Sequence, residues 1–210
     1  MSDRRAEQTA IFDQGPRGTC AACAVTSAHE WLRAKESLSV EDAFHQGKRL
    51  DPWLNEEYTS VHHVLSGIEG AGHALAAAWP YGDPAYPAPA PVASLNHANR
   101  RALLSVWHAQ RFATLRDMIS VVERHCVILT LGFVPSAWDN DDGVIQVEDE
   151  FAPQDAHAVL AVGSDVRNGQ SVIVIKNSWG DAWGDSGYGY VTAAYADRYL
   201  LAAHVIERAA

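Results

Sequence analysis

The apolar residues of this sequence change their spacing part-way along the chain, and that change limits the fold more than any other feature. In the first half they recur with the 3.6-residue period of a helix. Ala21, Ala24, Val25, Ala28, Trp31 and Leu32 predict a helix over residues 20–35, and Val61, Val64, Leu65 and Ile68 predict a second over 60–69. Leu115, Met118, Ile119 and Val122 predict a third over 114–124, with Thr114 and Asp117 placed to cap its start. Beyond it the texture turns β-branched. Residues 126–134, 158–162 and 171–176 are apolar runs broken by Gly, Asn and Asp, which read as strands. Helices early and strands late imply an α+β architecture with a helical lobe and a sheet lobe. Between them, residues 80–91 are proline-rich and exclude regular helix or sheet. They read as an extended surface connection packed by its tyrosines, or alternatively as a proline-motif ligand for a partner domain.

At 210 residues the chain can bury a sizeable core, as one large domain or two small lobes. Its 26 acidic against 16 basic residues, a formal charge of −10, argue against a nucleic-acid surface, which needs a clustered basic patch. No apolar run approaches the ~18 residues of a membrane helix. The start, Met-Ser-Asp-Arg-Arg-Ala-Glu-Gln, lacks the apolar stretch of a secretory signal. Three cysteines, Cys20, Cys23 and Cys126, are too few and odd in number for a disulfide framework. These features together predict a cytoplasmic protein with no nucleic-acid or membrane partner.

Cys20 stands where the glycine-bearing turn 13–19 becomes a helix. Unpaired N–H groups and the partial positive charge of a helix start stabilise a thiolate, the nucleophilic form of cysteine. Alone, Cys20 reads more readily as a small buried residue at a helix start than as a nucleophile. Cys20-Ala-Ala-Cys23 also admits a redox pair, but no apolar strand precedes it, and half a zinc site, but no second such pair exists. Cys23, one turn into the helix, reads as a core thiol. Nucleophilic chemistry needs a base and a group to orient it. His157 opens the strand-like run 158–163, and Asn177 ends another, so adjacent strands would set the Asn177 amide oxygen against one imidazole nitrogen and leave the other for Cys20.

These residues resemble the papain family of cysteine peptidases. Gln14-Gly15-Pro16-Arg17-Gly18-Thr19-Cys20 is similar to that family's Gln-Gly-x-Cys-Gly-Ser-Cys segment, and residues 156–163 to its histidine strand. Asn177-Ser178-Trp179-Gly180, Trp183-Gly184 and Gly187-Tyr188 match its asparagine segment almost residue for residue. His157 follows Cys20 by 137 residues, inside the family's window of ~130–150. The likeness runs from about residue 12 to 192. It implies one papain-like domain over 1–210. A helical lobe at about 20–105 would face an antiparallel, β-barrel-like lobe at about 106–210 plus the N-terminal segment, with the active site in the cleft between them. Cys20 would be the nucleophile and His157 the general base and acid, together a thiolate–imidazolium pair. Asn177 would orient the ring and Trp179 would shield it. The Gln14 amide and the Cys20 backbone N–H would form the oxyanion hole. The substrate would be an extended peptide or protein segment, with no metal or cofactor.

Some positions depart from the pattern. Arg17 stands where the family has a disulfide cysteine, Ala21 where it has tryptophan and Cys23 where it has phenylalanine. The family's paired glycines, which bind the substrate backbone, have Gly70 and Gly72 as candidates, beside Gly18 and Ala156 as further substrate-binding positions. About a dozen residues precede the nucleophile motif, which suggests a stand-alone, bacterial-type peptidase without an inhibitory propeptide. Such an enzyme needs narrow specificity, as in precursor processing, or a regulatory or sequestering protein partner. Acyl transfer from the same Cys20 thioester, giving ligation, and a non-catalytic peptide-binding module are the alternatives.

Overall fold

The computed structural model describes residues 1–52, 57–82, 99–102, 105–139, 142–147, 153 and 155–208. Strand β1 (Ser2–Asp3) and a 3-10 turn (Arg5–Glu7) precede the loop that ends at helix α1 (Cys20–Leu32), which is followed by α2 (Val40–Leu50) and α3 (Val61–Ala71). Strands β2 (His73–Ala74) and β3 (Arg100–Arg101) pair as a small separate sheet. Then come β4 (Ser105–Gln110), α4 (Leu115–Val122), β5 (Cys126–Phe133), α5 (Pro135–Trp138), β6 (Val144–Ile145), β7 (Asp155–Arg167), β8 (Gln170–Lys176), β9 (Tyr188–Thr192), α6 (Ala193–Tyr199) and β10 (Leu200–Arg208). The main sheet runs β4-β10-β5-β7-β8-β9-β6, with β1 adding to β7. Every pair in it is antiparallel except β6 with β9.

Both faces of this sheet are covered, which explains why its central strands read as continuous apolar runs. Ile128, Leu160, Val162 and Val174 pack toward α1, α2 and α3. Their neighbours Leu129, Val159, Ala161 and Ile175 pack toward α4, α5 and α6. The alternation is the two-residue period of a strand, with a helical layer waiting on each side.

Helix boundaries follow local capping. Ser60 starts α3 by accepting the His63 N–H at 3.2 Å, and Thr114 starts α4 by accepting the Asp117 N–H at 3.2 Å. α1 ends at Leu32, three residues before its apolar stripe predicts. Ala34 and Lys35 turn into positive φ (52° and 69°), and the Lys35 N–H closes onto the Glu30 carbonyl at 2.7 Å.

The sequence pattern misses α2 altogether, because its inward face carries buried Glu41, Asp42 and Gln46. These are satisfied by Arg17, by Arg100 and by each other. The available signal was Ser39, whose hydroxyl accepts the Asp42 N–H at 3.0 Å. Most of the proline-rich stretch, 83–91, lies outside the described residues. Within the described part Tyr81 does pack, its hydroxyl 2.8 Å from that of Thr19.

Candidate active site

Two chain segments far apart in sequence are stitched side by side to make the site. The Gln14 N–H donates to the Ser178 carbonyl at 2.9 Å, and the Gly180 N–H donates to the Phe12 carbonyl at 3.0 Å. The Ser178 hydroxyl donates to Gln14 Oε1 at 2.6 Å. The loop leading to Cys20 is thereby locked to the segment that follows β8. A buried relay braces the same junction: Lys176 Nζ donates to the Thr9 hydroxyl at 3.0 Å, which donates to Glu30 Oε2 at 2.5 Å. It ties the end of β8 to α1. Burial holds Lys176 down to about 8 and pushes Glu30 up.

A cavity of about 630 Å³ opens beside this junction. Gln14, Gly18, Cys20, Ala156, His157 and Trp179 all line it. Asn177 lies behind, buried against the histidine. Its Oδ1 accepts from His157 Nε2 at 2.7 Å and from the Ser178 N–H at 2.8 Å. An oxygen that only accepts requires the proton on Nε2, so the lone pair of the neutral ring is on Nδ1. Gln14 Nε2 spends one hydrogen on the Arg17 carbonyl at 2.7 Å, and its second remains for a ligand in the cavity.

The helix start acts on Cys20 as its position suggests. The N–H groups of Ala158, Ala21 and Cys20 itself point at the sulfur and favour the thiolate, but burial outweighs them and pushes the thiol up, with Asp155 adding to the rise. Burial also brings His157 down to about 4, against the Asn177 bond and the Asp155 charge. No hydrogen bond joins the two side chains among the described residues. Burial thus disfavours the charged form of each group taken alone, so a thiolate–imidazolium pair here would rest on the attraction of the two charges for each other. The physical reason is desolvation: an isolated charge in this site has lost its water.

An aromatic cage surrounds the imidazole. Trp179 stacks on it with centroids 4.6 Å apart, Trp138 meets it edge-on at 5.2 Å and Phe133 lies at 6.3 Å. Trp138 is anchored in turn by its indole N–H on the Tyr195 hydroxyl at 2.8 Å.

Comparison with known proteins matches residues 102–207, half of the chain, to the family described as papain family cysteine protease. The chain belongs to the papain family of cysteine proteases. The matched region contains His157 and Asn177, and the turn leading to Cys20 lies before it. Curated papain-family relatives match over short stretches. Oryzain gamma chain of Oryza sativa subsp. japonica is 60% identical over 38 residues, 18% of this chain and 10% of that protein. Peptidase 1 of Dermatophagoides farinae is 41% identical over 59 residues, 27% of this chain and 18% of that protein. Solved structures match along the whole length. Digestive procathepsin L 3 of Tenebrio molitor larval midgut has a TM-score of 0.79 at 21% identity, covering 98% of this chain and 68% of that one. Bromelain protease from Ananas comosus, in complex with the E64 inhibitor, has a TM-score of 0.76 at 19% identity, covering 99% and 98%. The fold is papain-like.

Within this papain-family chain two sequence expectations need correction. Gly70 and Gly72 sit at the C-terminal end of α3, where Gly72 is the C-cap with φ 74°, and neither lines the cavity. The wall in question is built instead by Glu57, Tyr58, Thr59, Ser60 and Val61, the approach to α3. Gly18 does line it, and for a steric reason: a Cβ there would fall 2.5 Å from the Glu57 carbonyl oxygen. The sequence reading also passed over Ser178, Phe133, Trp138 and Asp155. Only Ser178 carried a signal, as the neighbour of Asn177 in a dense motif.

Proposed function

We propose that this chain is a thiol-dependent peptidase that cleaves a peptide lying in the cleft between α1 and β7. The observation that carries the reading is the 2.7 Å bond from His157 Nε2 to Asn177 Oδ1, which leaves the Nδ1 lone pair for a thiol lining the same cavity. Cys20 begins as a thiol and His157 as a neutral imidazole. On closing around substrate, the thiol proton passes to His157 Nδ1, and each new charge stabilises the other. The sulfur attacks the scissile carbonyl carbon, whose oxygen becomes an oxyanion. The free Gln14 Nε2–H and the Cys20 backbone N–H receive that charge; removing one such donor typically costs ~3 kcal/mol of transition-state stabilisation. His157 then protonates the departing amine, leaving an acyl thioester on Cys20. Water, deprotonated by His157, releases the acid and restores the thiol.

The test uses E64, the inhibitor held in the bromelain structure. We expect it to add its mass to Cys20 in the wild type and nowhere in Cys20→Ala, and we expect Cys20→Ala, His157→Ala and Gln14→Ala to lose peptide cleavage. Activity surviving in Cys20→Ala would sink the reading.

We further infer a restricted specificity, as in processing of one precursor. The support is the wall at Glu57–Val61, whose side chains can select among substrates where a glycine pair would touch only backbone. Mass-spectrometric profiling of a diverse peptide library, wild type against Cys20→Ala, tests it; ready digestion of unrelated unfolded proteins would overturn it. A reducing compartment such as the cytoplasm fits the free state of Cys20, Cys23 and Cys126. Full activity and unchanged stability in excess dithiothreitol are its expected signature.

A further inference from the structure

We propose that Arg17 is a positioning residue that aims the Gln14 amide at the oxyanion through its own clamped backbone. The inference rests on the peptidase reading above and adds a residue that neither the motif nor the family match assigns.

The backbone carbonyl of Arg17 accepts two hydrogen bonds at once, from Gln14 Nε2 at 2.7 Å and from the Thr19 N–H at 2.8 Å. One oxygen therefore sets both the plane of the Gln14 amide and the entry of the chain into α1. This oxygen belongs to a turn, outside any helix or strand, so something else must hold it. The Arg17 side chain does so. Its guanidinium is 1% exposed and forks onto the carboxylate of Glu41, also 1% exposed, with Nη1 on Oε1 and Nη2 on Oε2 at 2.9 Å. Glu41 sits in the first turn of α2, and its Oε1 also accepts the Gly82 N–H at 3.1 Å. The guanidinium lies 5.0 Å from the Tyr81 ring centroid and 5.8 Å from that of Phe44. The Tyr81 hydroxyl closes the circuit, donating to the Gln14 carbonyl at 3.1 Å and meeting the Thr19 hydroxyl at 2.8 Å.

A planar fork held at two points on a helical carboxylate fixes orientation as well as distance, and a lysine at 17 would supply only a point charge. The Gln14 amide is thus held from two sides. Ser178 binds its oxygen from the β8 side, and Arg17 binds its nitrogen from the α2 side. In the resembling family a cysteine of a disulfide occupies this position; here an ion pair does, and it does not depend on redox state.

The experiment separates positioning from stability. The double variant Arg17→Met/Glu41→Leu replaces the pair with apolar groups of similar volume, an exchange that often leaves a fold as stable as before. We expect its melting temperature to stay near wild type, its kcat to fall about tenfold to a hundredfold and its KM to stay within about threefold. A peptide aldehyde forms a hemithioacetal whose oxygen occupies the oxyanion site, so its affinity should fall with kcat. Alkylation of Cys20 by iodoacetamide creates no oxyanion, so its rate should stay within about twofold. Arg17→Lys, which leaves Glu41 paired with a charge, should show the same split if the double variant folds poorly. In a Gln14→Ala background, Arg17→Lys should lower the affinity for the peptide aldehyde no further. A folded double variant with full kcat and aldehyde affinity overturns the inference alone, as does iodoacetamide reactivity that falls in step with kcat. A wild type inactive on every peptide overturns this inference and the peptidase reading together.

Discussion

The two walls of the cleft meet the same demand by different physics. On one wall His157 stands in β7 on the β5 ladder, opposite Leu131 and just before the pairing with β8 begins at Leu160, and three aromatic rings confine its side chain. Nothing in that cage is ionised, and its strength comes from buried area and edge-to-face geometry. On the other wall Gln14 and Cys20 belong to a turn and a helix start, held by directional polar bonds among Ser178, Arg17, Glu41 and Tyr81. Area-based packing tolerates small shifts, whereas a polar clamp fails when one member is removed. The imidazole wall should therefore respond to loss of volume, and the wall that carries Cys20 to loss of single hydrogen bonds.

The largest effect is expected from Trp138→Ala. Trp138 is 1% exposed and touches Phe133, His157, Trp179 and Trp183. Truncating a buried tryptophan costs about 3–5 kcal/mol, and here it also removes one of the hydrogen bonds of the buried Tyr195 hydroxyl, which keeps those to the Gly132 carbonyl and from the Val134 N–H. Urea denaturation should show a drop of that size. A drop under about 1 kcal/mol would mean that the cage does not carry the wall.

Asn177→Ala comes next and should act on catalysis more than on stability. Without Oδ1 the imidazole loses the bond that selects its tautomer, and kcat should fall roughly a hundredfold while KM changes little. Asn177 Nδ2 has no hydrogen-bond partner among the described residues, so the polar bonds the variant removes are the two that Oδ1 accepts, from His157 Nε2 and from the Ser178 N–H. A kcat loss below about threefold would show that the cage alone orients His157.

The same contrast governs how much could be read from the sequence. α1, α3 and α4 were legible because each presents an apolar stripe, and β5, β7 and β8 because both their faces are buried. α2 was hidden by Glu41, Asp42 and Gln46, polar residues pointing inward toward partners that no local pattern reveals. β10 follows α6 directly at Leu200, with no turn residue between them to mark the change. In the site, Cys20, His157, Asn177 and Gln14 stood out through motif spacing. The roles of Ser178 and Arg17 depend on contacts closed by the fold: the Ser178–Gln14 bond joins residues 164 apart. Gly70 and Gly72 misled because glycine alone says nothing about which side of a helix the cleft will lie on.

A smaller effect is expected from acid on the helical side. His29 and His73 are buried with their Nδ1 atoms 3.0 Å apart, and His73 Nε2 donates to the Ser39 carbonyl at 2.9 Å. His73 therefore accepts at Nδ1 and His29 donates, both rings neutral. Burial lowers His29 to about 3 and His73 to about 4. Arg33 and Arg100 also disfavour protonation of the pair, while Asp42 and Glu36 oppose them. The unfolded chain, with histidines near 6.5, then binds more protons than the folded one between about pH 6.5 and pH 4, so stability is lost as pH falls through that window. The slope is at most about 1.4 kcal/mol per pH unit for each ring. His73→Gln, which can donate to Ser39 and accept from His29, should lessen the fall in melting temperature between pH 7 and 5 without abolishing it, because His29 and His157, also held down by burial, still oppose protonation in the fold. A wild-type melting temperature constant over that range would show that the pair is already charged in the fold.

The smallest effect belongs to Asp155, which joins the two walls electrostatically. It lines the cavity on β7, and its charge raises both the Cys20 thiol and the His157 imidazole. Its carboxylate is exposed, so the charge acts largely through water, where a unit charge a few ångströms away is worth about 1 kcal/mol or less. Asp155→Asn should therefore move the pH dependence of kcat/KM toward lower pH by less than about one unit, leaving its maximum within about threefold. Raising salt should shrink the difference between wild type and variant, because exposed charges are screened while the buried Asn177 bond is not. A shift toward higher pH, or one that salt leaves untouched, would show that Asp155 does not act through its charge; the bond from the Ala156 N–H at 2.7 Å is not what the variant removes, since an asparagine Oδ1 accepts it equally.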